Sequence, residues 1–432
     1  MVTSEVGDSW INGYAGDATK MSLYRIVAGA YSECARLGQC DLSDGRLASF
    51  SRFALKSPEH TWGLGPLDGT EQYLWANADL QAALTPNSGI PVFLSHQNSY
   101  IEQRNVTAIY ALEALQDHPL RAIINERLSE ATPAVPILGE DYSSVPMSLW
   151  TQNFSISLPG GGIVTLAFDG IVGGLSFLSI NGSSNLAVSE KPLASLVYRE
   201  FNGTDWAEAS TCPIAYQRFG DDAAGARSSV TRASMDALYT QTGNGPRSFV
   251  IHATLPEDLT LLVGAPADIW LNFTVTLFGD ILIDVQLFNK TTTRFGEAVL
   301  LEWLFSSSNL SPTDGVWRID KIGSWVDPLD VVSGGSTQQH AVGQGVAFFS
   351  PTSGITDGGL FLDSIDAPVI CTATGTDQSY TTLPLSSEPL KGPVTGFASI
   401  LTTNAWAMNF PLWCLDSSLR FRFRIRVVAS ST

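Results

Sequence analysis

The apolar residues of this chain change their spacing near Pro133, and that change limits the open folds more than any other feature. Before it they recur every three or four residues. Leu23, Val27, Ala30, Cys34 and Leu37 form one such stripe, the pattern of a helix with one buried face. After it, short β-branched and aromatic runs alternate with Gly and Pro clusters. The last run, Leu419-Arg420-Phe421-Arg422-Phe423-Arg424-Ile425-Arg426-Val427, alternates strictly. Successive side chains of a strand point to opposite faces, so the arginines share one face and the apolar residues the other. Helices first and evenly spaced strands afterwards predict an α+β fold. A helical segment over 1–132 is expected to pack on a large antiparallel β-sandwich region over 133–432, divisible into two sub-sandwiches.

Local signals place the elements. Asp17 is suited to cap a helix starting near Ala18, and Gly38 to end it in a left-handed conformation. A second helix is expected over 44–56. Ser57-Pro58 has the chemistry of a helix start, so a third, short helix is expected there, ended by Gly63, Gly65 and Pro66. Others are expected over 71–84 and, from the capping box Ser99 to Glu102, over 99–116. Strands are expected over 152–158, 162–169, 196–201, 248–255, 269–277, 281–289 and 298–305. Later ones are expected over 317–322, 346–349, 358–362, 394–401 and 419–428. Gly160-Gly161-Gly162 opens a strand rather than a helix, so it reads as a hairpin turn and not a phosphate loop.

Of the 432 residues, 44% are apolar and 15% charged, enough apolar material for a large core. The net charge of −18 argues against nucleic acid and anionic membrane as partners, which need basic patches. A neutral glycan is compatible with it. No apolar run reaches membrane-spanning length. The cysteines are Cys34, Cys40, Cys212, Cys371 and Cys414, without metal-site spacing. Cys34 reads equally as an inert buried thiol or as a disulfide partner of Cys40. N-x-[ST] sequons at Asn105, Asn153, Asn181, Asn202, Asn272, Asn289 and Asn309 fit a protein of the secretory pathway. Met1-Val2-Thr3-Ser4-Glu5 is no signal peptide.

Ionisable and aromatic groups coincide in Ser57-Pro58-Glu59-His60-Thr61-Trp62-Gly63-Leu64. A histidine beside a carboxylate serves as metal ligand, as acid or base, or as an ordinary core residue, the last being the commonest. His60, His96, His118, His252 and His340 are scattered, so no complete metal site is readable. Asp8, Asp17, Glu59, Asp68, Glu71 and Asp79 are the acidic residues near the helical motifs, and spacing singles out none of them. Trp62, Trp75, Trp406 and Trp413 have the shape to stack on sugar rings, with Asn404 and Asn409 flanking Trp406, although tryptophans are mostly core. Arg104 can reach a carboxylate or a sugar hydroxyl.

Glu59-His60-Thr61-Trp62-Gly63 resembles a motif of the alpha-mannosidase-like glycoside hydrolases (family thirty-eight) and of an uncharacterised fungal and bacterial family related to them. Three further stretches resemble the second family, in the expected order. They are Gly7-Asp8-Ser9-Trp10-Ile11-Asn12-Gly13, Leu362-Asp363-Ser364-Ile365-Asp366-Ala367-Pro368, and the run from Asn404 to Trp413. The resemblance implies a mutarotase-like super-sandwich behind the helical segment. It implies catalytic roles for Asp8, Glu59 and His60, and carbohydrate contacts at Trp62, Trp406 and Asn409. Related mannosidases hold a catalytic metal by histidine and aspartate, so one divalent metal, zinc or calcium, is expected at an incomplete site, with His60 as its candidate ligand. It also implies a catalytic barrel ahead of this region, which residues 1–432 do not contain. The expected function is that of a glycoside-hydrolase-like protein for carbohydrate processing, inactive as this chain alone. The alternative is a non-catalytic carbohydrate-binding or structural module. Carbohydrate is the expected partner, with a barrel-bearing chain or upstream domain beside it.

Overall fold

The computed structural model describes residues 6–7, 9–59, 62–64, 74–88, 90–188, 190–209, 221–241, 247–383, 389–406 and 410–428. A 3₁₀ segment, Ser9–Asp17, comes first. Helices α1 (Ala18–Arg36), α2 (Gly45–Ala54), α3 (Asn77–Ala83), α4 (Pro91–Asn105), α5 (Ala111–Ala114) and α6 (Pro119–Glu130) follow. A π-turn, Val106–Tyr110, joins α4 to α5. Two short helices, α7 (Gly203–Glu208) and α8 (Glu257–Val263), lie within the β region.

The strands are β1 (Tyr142–Ser144), β2 (Phe154–Ser157), β3 (Ile163–Phe168), β4 (Leu175–Ile180), β5 (Ser195–Glu200), β6 (Ser229–Arg232), β7 (Ser234–Gln241), β8 (Arg247–Thr254), β9 (Asp268–Val275) and β10 (Ile281–Phe288). They continue as β11 (Glu297–Leu304), β12 (Val316–Lys321), β13 (Ser324–Val326), β14 (Gln339–Ala341), β15 (Gly345–Phe349), β16 (Gly359–Ser364), β17 (Val369–Thr374), β18 (Val394–Thr403) and β19 (Leu419–Val428). A ten-stranded sheet has the order β1-β7-β8-β9-β10-β19-β16-β15-β12-β13, a six-stranded sheet β14-β17-β18-β11-β5-β6, and a small sheet β2-β3-β4. The pairings are antiparallel.

Burial along the strands explains the layering. In β9 and β19 buried and half-buried residues alternate, so one face meets the core and the other meets water. Phe421, Phe423 and Ile425 point inward as expected. On the other face Arg420 pairs with Asp284, Arg422 with Asp366, and Arg424 and Arg426 with Asp363. β11 is buried at every position. Val299, Leu301 and Trp303 join the core between the two large sheets, while Ala298 and Leu300 join a second core on the outer face. The 3₁₀ segment and the start of α1 cover part of that outer face, through Ala15 and Met21. The six-stranded sheet therefore has the ten-stranded sheet on one side and the 3₁₀ segment on the other.

The helices begin and end for local reasons. Asp17 caps α1 by accepting from the Lys20 amide at 2.9 Å, and Gly38 follows it at φ +67°. Pro91 and Pro119 open α4 and α6, where a missing N–H costs nothing. Cys34 and Cys40 form a disulfide behind α1, which decides between the two readings of Cys34. Arg25 fastens α1 to the sheets by donating to the carbonyls of Val342, Gly343, Ser364 and Ile365.

Several expected elements are corrected. Residues 55–59 form a turn, and 62–64 are not helical, so no helix starts at Ser57. The Ser57 hydroxyl accepts a hydrogen bond from Thr107 of the π-turn instead of capping. Ser99 lies inside α4, because Pro91 starts that helix earlier, and its hydroxyl accepts from the Leu64 amide at 3.0 Å. The helix expected from Glu71 begins at Asn77, and 65–73 lies outside the described residues. Each expected strand is present within a few residues; β1, β4, β6, β7, β13, β14 and β17 were not anticipated.

Candidate functional site

The 3₁₀ segment lies across β14, β17 and β18 on the outer face of the six-stranded sheet. Gly13 permits this, since a Cβ there would stand 2.1 Å from the Phe410 ring. Aromatic rings fill the seam. Tyr14 meets Trp62 edge-on at 5.0 Å, Trp62 meets Phe410 at 5.3 Å, and Trp10 meets Trp406 at 5.9 Å. The Tyr14 hydroxyl donates to the Pro58 carbonyl at 2.7 Å, which ties the seam to the Glu59 stretch. Trp10, Ile11, Tyr14 and Tyr24 are half-buried in it.

A lysine sits at the centre. Lys20 is 1% exposed, and its Nζ has no hydrogen-bond partner among the described residues. The ammonium stands 4.1 Å from the centroid of the Trp62 ring, within cation–π range. Burial pushes its pKa down to about 7, against the upward pull of Asp17 and Glu59; the Arg104 charge adds to the fall. Arg104 itself is clamped between two carboxylates. Its Nε donates to Asp17 at 2.8 and 2.9 Å, and its two terminal nitrogens to Asp416 at 2.7 and 2.8 Å. The Thr19 hydroxyl donates to the same Asp416 at 2.9 Å.

The residues proposed from sequence fall unevenly around this seam. Glu59 is exposed at its rim. Asp8, His60 and Asn409 lie outside the described residues. Trp62 and Trp406 are buried, so neither presents a ring face to solvent, and Trp75 and Trp413 are buried too. His96, His118 and His252 are engaged locally, with the Val92 carbonyl, the Leu120 amide and Asp268 respectively. Among the described residues no group of three or more His, Cys, Asp and Glu is arranged to hold a metal. Asp17, which is buried, and Asp416, which is half-buried, are committed to Arg104. The described residues therefore do not fit a metal by themselves. Lys20 was missed by sequence reasoning, although a signal existed. It lies seven residues before Val27, on the buried side of α1.

A model of a family described as a domain of unknown function (DUF5054) matches residues 14–277. That is more than half of the chain. The chain belongs to the DUF5054 family. The match takes in Lys20, Glu59, Trp62 and Arg104 and ends before Trp406 and Asp416. No curated protein sequence matches the chain. Among solved structures, a galactose mutarotase related enzyme from Lactobacillus acidophilus is 8% identical, covers 65% of this chain and 98% of its own, and has a TM-score of 0.35. An aldose epimerase homologue from C. elegans is 10% identical, covers 68% and 98%, and has a TM-score of 0.29. Nothing about activity follows from these likenesses.

Gly63 ends the motif of this DUF5054 protein for a steric reason. Its φ is +144°, and a Cβ there would stand 2.3 Å from the ring of Tyr100, which is fully buried. Tyr100 also packs edge-on against Trp413 at 5.5 Å, so it has no room to retreat. Gly63→Ala is expected to lower stability by about 1–3 kcal/mol through overpacking and backbone strain. Urea unfolding measures this; an unchanged midpoint would mean that the turn relaxes freely.

Proposed function

We propose that this chain is the carbohydrate-facing part of a glycoside-hydrolase-like protein, with its site at the seam between the helical segment and the six-stranded sheet. The observation that supports it best is the buried Lys20 ammonium, held over Trp62 without a hydrogen-bond partner among the described residues, directly behind the Glu59 bracket. A buried, unsatisfied charge is costly and is seldom kept for stability. Such groups gather where a site must hold charge or move a proton. In this reading Glu59 faces the sugar with Trp62 and Lys20 setting the polarity behind it, and Asp8 and His60, outside the described residues, are the other proposed catalytic groups. The resemblance to alpha-mannosidase-like enzymes gives the reaction class; any metal would be completed by ligands beyond the described residues.

Glycoside hydrolysis needs two carboxyl groups flanking the scissile bond, about 5–9.5 Å apart. At the seam Asp17 and Asp416 are held by Arg104, so neither is free to act as the second carboxylate beside Glu59. The chain by itself is therefore expected to bind sugar weakly and to cleave none. The test is an assay of the purified chain against aryl α- and β-glycosides with and without zinc or calcium, alongside saturation-transfer NMR with free monosaccharides. Turnover that disappears in His60→Ala or Asp8→Asn would overturn the expectation of inactivity. Absence of any sugar contact that Glu59→Ala removes would overturn the assignment of the seam. The burial of Trp62 and Trp406 favours the second reading, a structural module, and that second outcome would select it.

A further inference from the structure

The outer face of the six-stranded sheet carries a second polar feature, which shares no residue with the seam. Two cavities of about 300 Å³ and about 240 Å³ adjoin there and share Arg199, Val230, Tyr380 and Thr382 as walls. Together they make one trough across β5, β6 and β11, beside the chain at 378–383.

Its floor contains a residue that the fold does not ask for. Glu302 belongs to β11, a strand buried on both sides whose other outward residues are Ala298 and Leu300. It is 2% exposed. A carboxylate there is desolvated at a cost that an apolar residue would avoid. Arg232 holds it with two bonds of 2.8 Å from one nitrogen, and the Tyr380 hydroxyl donates to it at 2.7 Å. Burial and the neighbouring Glu302 charge raise the Tyr380 phenol well above its ordinary range, so it stays a donor. Arg199 is matched in the same way by Asp205. Lys191, at the far end, donates to the carbonyls of Asp377 and Gln378.

We propose that this trough is a binding site for a small, neutral, polyhydroxylated molecule of monosaccharide size. The pairing of charges sets the chemistry. Arg199 and Arg232 are each balanced by a carboxylate within hydrogen-bond distance, and the lining adds one cation, Lys191, and one carboxylate, Glu208, so the trough offers many donors and acceptors with little net charge. An anion would have to compete with Asp205 and Glu302 for the guanidiniums, and a cation with the guanidiniums for the carboxylates. A hydroxyl both donates and accepts and displaces neither. Val197, Val230 and Leu300 supply an apolar wall for the C–H side of a sugar ring. The inference goes beyond the proposed function and does not depend on it.

The test is saturation-transfer NMR and calorimetry on the whole chain with glucose, galactose, mannose and inositol, and with glucuronate and inorganic phosphate as charged probes. Val230 lies on the trough's edge at 60% exposure, so Val230→Trp fills the space without touching the buried network. Neutral sugar or polyol binding should weaken about tenfold or more in Val230→Trp and persist in Glu59→Ala, with an unchanged thermal midpoint. Tyr380→Phe, which removes one donor, should weaken it less. Binding lost in Glu59→Ala and kept in Val230→Trp belongs to the seam and overturns the proposal. So does preferential binding of glucuronate or phosphate that Val230→Trp removes, or the absence of binding to every probe.

Discussion

Arg104→Met should lower the unfolding free energy by about 3–5 kcal/mol, because it leaves the buried Asp17 carboxylate and the half-buried Asp416 carboxylate without their counter-ion. The Arg104 side chain is 15% exposed and that of Asp17 only 2%. The clamp also joins three parts of the molecule. Arg104 belongs to α4, Asp17 ends the 3₁₀ segment and caps α1, and Asp416 precedes β19. Losing it puts two carboxylates near one another and loosens both the cap and the helix–sheet contact. Arg104→Lys keeps the charge but cannot bond two carboxylates with a planar fork, so it should recover only part of the loss. Urea unfolding at neutral pH and low salt reads both variants. A loss below about 1 kcal/mol in Arg104→Met would place the clamp among surface ion pairs, whose worth is small.

The same residues show which links of the chain from sequence to structure were open to reading. The strands were legible because period-two alternation has one physical meaning when one face is buried. β19 is the clearest case, and even β11, buried throughout and apolar except at Glu297 and Glu302, was recognisable from its length. β6 and β14 were not, because short edge strands carry little pattern. The caps at Asp17 and Gly38 were legible because their chemistry is local. The Ser57 cap failed because a serine hydroxyl satisfies either a helix end or a distant neighbour, and Thr107, distant in sequence, was the neighbour. At the site, Arg104 was readable as a group seeking a carboxylate, yet its partners Asp17 and Asp416 come from ends of the chain that only the fold brings together. Glu302 was hidden in the same way. A glutamate inside an apolar run signals something buried, but its partners Arg232 and Tyr380 are far from it in sequence.

Lys20→Met is expected to make the protein more stable at pH 6, by on the order of 1–3 kcal/mol, since a buried charge without a hydrogen-bond partner among the described residues is exchanged for an apolar chain of similar length. The lost contact with the Trp62 ring offsets part of the gain, by about 1 kcal/mol. The pH dependence identifies the cause. In the folded chain Lys20 titrates near 7, and in the unfolded chain near the ordinary lysine value of about 10.4. Below pH 7 both states hold the proton, and Lys20 adds no pH dependence. Between about pH 7 and 10 the unfolded state holds a proton that the folded state has released, so unfolding grows harder as pH rises. The parent should therefore gain on Lys20→Met across that window, by at most about 1.4 kcal/mol per pH unit. Arg104 contributes to the lowered value, so Arg104→Met should move the onset of the window to higher pH. The measurement is the difference between parent and variant in urea unfolding, taken from pH 6 to pH 9.5. A difference that stays flat would mean that Lys20 keeps its proton and that water reaches it. A difference that closes from pH 7 upward would mean that the seam holds a neutral amine over the Trp62 ring at slightly alkaline pH.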